Sequence, residues 1–272
     1  MVYLLVFLVG LIASSLGSLV GLGGAFLIVP VLLFFGEIGW IEGMNPQLAA
    51  GTSLLALVFT GMSATVSHAK KRNVDFKSGT LFLLGIIPGS ILGVIANSQV
   101  NGQSFNLYFG IWMLLLSFVL ILHNRKPKPF NSTNKIVRHY IDHTGTEYVY
   151  GYKGSTAVLV AIAVGFISSL FGVGGGALMV PAMLLLFRFP THLAIGTSML
   201  VILLSTVVGS STYLLMGNIH WLVAAAIIPG NFLGGKIGAY FSLKLKGPLL
   251  VLMLRLLLVI MGIRLIYQAL FM

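Results

Sequence analysis

The stretch GLGGAFLIVP (Gly21–Pro30) returns as GVGGGALMVP (Gly172–Pro181), identical at six of ten positions. Two more segments repeat in the same order. AAGTSL (Ala49–Leu54) returns as AIGTSM (Ala194–Met199), and IIPGSILG (Ile86–Gly93) as IIPGNFLG (Ile227–Gly234). Three matches in one order at a nearly constant offset mark a duplicated unit. Residues 1–123 are read as the first membrane repeat, 124–153 as a basic cytoplasmic linker and 154–272 as the second membrane repeat.

Between these motifs the chain is too apolar to clothe a water-soluble globule. Residues of the AVILMFWYC set make up 58% and charged residues 8%, with a mean hydropathy of +1.04. A soluble domain carries about 25% charge. A soluble enzyme, a secreted disulfide scaffold and a disordered protein are excluded, and a polytopic membrane protein remains. The chain has no Cys, so disulfides, thiolate metal sites and Cys nucleophiles are excluded together. The net charge of +11 does not point to nucleic acid, because all but three of the sixteen Lys and Arg lie in or beside short polar gaps. The opening MVYLLVFLVG has no basic n-region and is read as a retained membrane segment rather than a signal peptide.

Apolar runs at approximately 3–20, 24–36, 46–69, 76–97 and 104–123 predict five helical elements in the first repeat. Runs at 154–171, 176–187, 191–216, 220–242 and 248–271 predict five in the second. The second run of each set is short. If each short run returns to the side it came from, Lys70, Lys71, Arg72, Lys77, the linker cations, Arg188, Lys244 and Lys246 share one side. The other side then receives Glu37 and Glu42 and no loop Lys or Arg. Basic loops are cytoplasmic, so the returning arrangement is preferred. Five is odd, and the second unit is therefore expected upside down. The expected fold is all-α: two inverted repeats of about five elements, with eight long spans plus glycine-broken hairpin helices. Inverted repeats carry the central site of many transporters.

The tips Gly23-Gly24-Ala25 and Gly174-Gly175-Gly176 are the first candidate contacts for substrate. Glycine lets a ligand approach bare backbone, and the helix that follows offers free N–H groups and a positive dipole end. Thr52, Ser53, Thr197 and Ser198 add hydroxyls that can donate to a small oxyanion or bond between helices. Asn231, after the mid-helix pair Pro229-Gly230, is a further candidate, with Ser90 as its counterpart. Lys236 and Arg255 lie inside apolar runs without an intramembrane carboxylate, and either snorkel or draw anions toward the cytoplasmic mouth. His68, beside Lys70-Lys71-Arg72, reads as an interfacial residue. All five acidic residues fall in expected loops or helix ends. That weighs against an intramembrane protease, a di-metal hydrolase and a pump driven by a membrane carboxylate. No catalytic residue, metal ligand or cofactor is assigned.

The paired motifs GLGGAFLIVP with AAGTS and GVGGGALMVP with AIGTS resemble the sulfite exporter TauE/SafE family, also called toluene-sulfonate uptake permeases. The resemblance covers roughly residues 10–97 and 165–242, and it implies a bacterial inner-membrane carrier for sulfite, sulfonates or related organosulfur anions. Ala25 stands where many members show a third glycine, as Gly176 does in the second unit. The expectation is a secondary transporter of a small sulfur-containing anion working by alternating access. Its expected partners are that anion, the lipid bilayer and a coupling proton or sodium ion, and no nucleic acid. A cation permease or channel and a non-transporting membrane scaffold are the alternatives.

Overall fold

Glycines and capping residues cut the apolar chain into helices close to where its sequence does. A computed structural model describes residues 1–121, 136–141, 147–245 and 247–271. The first half contains α1 (Val2–Val20), α2 (Ala25–Glu37), α3 (Pro46–Ala69), α4 (Phe76–Asn97) and α5 (Gly102–Ile121). The second contains α6 (Gly154–Phe171), α7 (Gly176–Leu185), α8 (Thr191–Leu215), α9 (Trp221–Ser242) and α10 (Gly247–Phe271). Every helix lies within about two residues of its expected run. Local chemistry sets the ends. Asn45, Asp75 and His220 accept at the N-termini of α3, α4 and α9 from the backbone of Leu48, Ser78 and Val223. Gly21 and Gly172 close α1 and α6 in the left-handed region, at φ 89° and 71°.

Six described helices, α1, α3, α4, α6, α8 and α9, are long and apolar enough to cross a membrane. Their outer faces are apolar as well, with Leu84, Leu92, Leu159, Leu215 and Leu222 all exposed. Water would not tolerate such a coat, but lipid does. The helices pack across the two halves: α1 against α9, α4 against α6, α3 against α8 and α5 against α10. Two glycine stripes bring backbones together. A Cβ on Gly230, Gly234 or Gly238 of α9 would meet the carbonyls of Phe7, Leu11 or Ser15 of α1 within 2.2–2.4 Å. Gly85, Gly89 and Gly93 of α4 stand in the same relation to Val158, Ile162 and Phe166 of α6. In lipid, where burial of apolar surface gives no helix–helix drive, this close contact holds the bundle.

The linker departs from the all-helical expectation. Ile136–Ile141 (β1) and Glu147–Tyr152 (β2) pair antiparallel, with Ile136 opposite Tyr152 and Ile141 opposite Glu147. The reason is a period of two: Tyr148, Tyr150 and Tyr152 alternate along β2, and aromatic residues suit a half-buried strand. Tyr150 and Tyr152 are buried against Phe189 and Phe187, at ring separations of 4.3 and 5.2 Å. The Gly151 N–H donates to the Phe187 carbonyl at 3.2 Å. The hairpin thus covers the end where α3 stops and α4 and α8 begin, beside Lys70, Lys71, Arg72 and Arg188. Arg125, Lys126, Lys128, Lys135 and Lys246, which the charge reading also used, lie outside the described residues.

Candidate functional site

The two glycine tips meet near the centre of the bundle, and each is held by the other half. A Cβ on Gly23 or Gly174 would press on the same two side chains, Leu57 of α3 and Ile202 of α8. One on Gly176 would lie 2.4 Å from the Gly21 carbonyl oxygen, so the second tip packs on the backbone of the first. Ala25, at the corresponding position of the first tip, is fully buried. The tips are not identical in conformation. Gly24 has φ 106°, a left-handed position tucked against Ala13 and Ser14, whereas Gly175 has φ −58°. The Gly175 N–H donates to Ser205 Oγ at 3.0 Å.

Each GTS motif binds the opposite half, residue by residue. Ser198 Oγ donates to the Gly21 carbonyl (3.0 Å) and Ser53 Oγ to the Gly172 carbonyl (3.1 Å). Thr52 Oγ1 accepts from the backbone N–H of His220 (2.9 Å), and Thr197 Oγ1 from that of Asp75 (3.0 Å). Gly51 and Gly196 admit carbonyls from the opposite half, since a Cβ there would sit 2.1 Å from Asn218 O and 1.9 Å from Asn73 O. All four hydroxyls are fully buried. Their visible work is to fix the tips and the starts of α4 and α9.

Asn231 lies behind the first tip. Thr60 Oγ1 contacts Ser14 Oγ at 3.1 Å and donates to the Asn231 carbonyl at 3.4 Å. Asn231 is fully buried, yet neither atom of its amide has a partner. Its counterpart Ser90 is also buried with an unpartnered hydroxyl. Buried amides normally find partners, so Asn231 is the sequence candidate with the most unused bonding capacity. Lys236 is not brought to the tips. It lies on the exposed face of α9 beside Phe232, Leu233, Ile237 and Tyr240, where a long stem reaches the interface. Arg255 is half-buried in α10, where its carbonyl accepts from Ser117 at 3.4 Å, also away from the tips.

The hairpin end carries polar residues that sequence reasoning placed elsewhere or passed over. Asp75 accepts from the Ser78 N–H, the Ser78 hydroxyl and the Tyr150 hydroxyl (2.8 Å), and pairs with Arg138 at 3.4 Å. Burial first, then the Asp75 carboxylate, push the Tyr150 phenol up from its ordinary 10.0, so it remains a donor. His68 is fully buried rather than interfacial. Its burial could be anticipated only from the partner helix, because no local pattern marks it. Among the described residues no three His, Asp or Glu side chains gather as a metal site requires.

The chain matches the family model described as "Sulfite exporter TauE/SafE" over residues 6–265. It is 42% identical to the "Probable membrane transporter protein YunE" of Bacillus subtilis, with all of both chains covered. A "Probable membrane transporter protein" of Xylella fastidiosa is 30% identical over 87% of this chain and 83% of its own. The Methanocaldococcus jannaschii relative "Probable membrane transporter protein MJ0441" is 26% identical over 95% and 93% of the two chains. No solved structure matches. These relatives are membrane transporters by name. With a family match across nearly its whole length and six apolar spanning helices, the chain belongs to the TauE/SafE sulfite exporter family of multi-pass inner-membrane transporters.

Proposed function

We propose that the protein is a secondary carrier that moves a small sulfur-containing anion, a sulfite or sulfonate, by alternating access. The two halves act as inverted repeats of five elements, with eight long spans and two glycine-broken hairpins, and residues 124–153 face the cytoplasm. The observation that carries this reading is the reciprocal bracing of two buried, non-helical tips, Ser198 to Gly21 and Ser53 to Gly172. Irregular backbone at membrane depth persists where it is buried in protein or lines a path. In transporters it sits where two repeats move against each other.

The braces also support a division of roles. Ser53 and Ser198 hold the tip backbone in place, and Thr52 and Thr197 hold the starts of α9 and α4. The anion is met by the backbone at Gly23-Gly24-Ala25 and Gly174-Gly175-Gly176, at the positive ends of α2 and α7, with the Asn231 amide behind the first tip. Rocking of one half breaks one set of braces and keeps the other. The decisive test is uptake of labelled sulfite, sulfoacetate and sulfate into proteoliposomes, with proton and sodium gradients of either sign imposed separately. Uptake of a sulfur anion that depends on one gradient is expected. Equal fluxes with protein-free liposomes would end the carrier reading in favour of a scaffold, and selective cation flux would favour a channel.

A further inference from the structure

At the hairpin end, His68, Asn73 and Thr65 carry buried polar atoms whose bonding capacity the fold leaves unused. His68, near the end of α3, is fully buried and neither ring nitrogen has a hydrogen-bond partner. Asn73, in the turn between α3 and α4, is 1% exposed. Its Oδ1 accepts from the Tyr140 hydroxyl of the hairpin, which leaves Nδ2 as a buried donor without a partner. Both residues are held against one turn of α8. A Cβ on Gly196 would lie 1.9 Å from Asn73 O and 3.1 Å from His68 Cβ. His192, one turn earlier on that face of α8, is near enough for its imidazole to act electrostatically on His68. Thr65, one turn before His68 in α3, adds a buried hydroxyl with no partner.

The chemistry on offer is that of donors. Asn73 presents only its NH2, because the hairpin takes its oxygen. A neutral imidazole supplies one N–H and a protonated one two. The nearby carboxylate, Asp75, is already engaged by Ser78, Tyr150 and Arg138. A cation would be repelled by the Asn73 NH2, whereas an anion with several acceptor oxygens satisfies that donor and an imidazole N–H at once. Lys70, Lys71 and Arg72, exposed on the adjoining turn, raise the local concentration of anions. The cluster is joined to the first tip through α8. Ser198, which braces Gly21, follows His192 by six residues of α8, about 9 Å along the axis.

We infer that His68 and Asn73, with Thr65 beside them, form an oxyanion-binding vestibule between the hairpin and the first glycine tip. There a sulfite or sulfonate group docks on its way to or from the centre. The assignment of sulfur oxyanions rests on the carrier reading above, but the donor site itself does not. The test titrates the purified full-length protein with sodium sulfite or sodium methanesulfonate, against sodium chloride at equal ionic strength. Binding is read from the thermal shift, and uptake is measured in parallel. Two variants remove donors with little change of shape. Asn73→Asp keeps an oxygen for Tyr140 and replaces the NH2 by a negatively charged acceptor, and His68→Leu empties the ring position. Asn218→Asp, at the corresponding turn of the other half, is the control.

Oxyanion-specific stabilisation is expected in the native protein and in Asn218→Asp. It should weaken at least about tenfold in half-saturating concentration for Asn73→Asp and His68→Leu, provided both remain folded. Titrations unchanged in both variants, with uptake intact, would overturn the vestibule and leave the carrier reading standing. Binding lost in the variants, in a protein that takes up none of the anions, would keep the vestibule and overturn the carrier. If either variant fails to fold, 15N-labelled histidine spectra of the native protein decide the matter. One imidazole pair must shift with sulfite and not with chloride, and the absence of such a shift overturns the vestibule.

Discussion

Two corners of the molecule share a backbone and differ in their side chains. At one, Gly51 and Thr52 of α3 receive the turn before α9. At the other, Gly196 and Thr197 of α8 receive the turn before α4. Each glycine admits a turn carbonyl, each threonine accepts the N–H of the capping residue, and each following serine holds the opposite tip. Tyr213 follows Thr197 by sixteen residues as His68 follows Thr52, and His192 precedes Thr197 by five as Gln47 precedes Thr52. There the likeness stops. The Tyr213 hydroxyl donates to Ser169 O at 2.9 Å, and Gln47 donates to Asn97 O and Val100 O at 2.8 and 3.0 Å. The counterpart His68 has no partner, and that corner alone lies under the hairpin. The bonds that shape backbone are present at both corners. The side chains that only fill the space differ, and that difference separates a closed corner from one with bonding capacity to spare.

The glycines give the largest expected effect. Gly51→Leu and Gly196→Leu force a side chain into a carbonyl about 2 Å from where its Cβ must go. Neither corner can yield without moving a helix, so both variants should abolish the monodisperse peak in fluorescence-detected size exclusion. A well-folded Gly196→Leu beside an absent Gly51→Leu would show that the corners are not built alike. Next come the threonines. Thr52→Val and Thr197→Val remove the acceptor of the part-buried N–H groups of His220 and Asp75, at a cost of about 1 kcal/mol each. Thermal unfolding in detergent should show matching losses, and an unaltered midpoint in either would remove that hydrogen bond from the account.

Smaller effects separate the corners. Gly217 has φ 73° with open space where a Cβ would sit, while the equivalent Arg72 holds φ 57° with a side chain in place. Gly217→Ala should therefore cost about 1–2 kcal/mol from backbone strain alone. Arg72→Ala should cost almost nothing, as the same unfolding assay would reveal. The hairpin belongs to one corner only. Arg138→Ala removes a partly exposed ion pair worth about 1 kcal/mol or less, and should speed proteolysis of β1–β2 without changing the midpoint of the bundle. The Tyr150 phenol has a folded pKa above its unfolded value, so its contribution is complete below about pH 10 and fades as pH rises. Labelling of a cysteine placed at Tyr150's neighbour Val149 should quicken on the alkaline side, and a flat profile would detach Tyr150 from hairpin docking.

Membrane character, helix boundaries and the duplication were legible in the amino-acid sequence, because each is written in local terms. Apolar runs between Gly, Pro, Asn and Asp state where helices begin and end, and lipid rewards the run whatever its neighbours. The tips were legible for the same reason, since GLGG and GVGG cannot continue a helix comfortably. What the sequence could not say is which half each motif serves. Thr52 and Ser53 read as candidate ligands until the fold placed His220 and Gly172, more than a hundred residues away, within hydrogen-bond reach. Lys236 read as a candidate for the anion path until α9 turned it outward, and His68 as interfacial until α8 and the hairpin closed over it. Hydropathy is a sum over a residue's own neighbours in the chain. A hydrogen bond, a burial or an unpartnered donor depends on neighbours brought from elsewhere by packing, and only the tertiary structure could decide those.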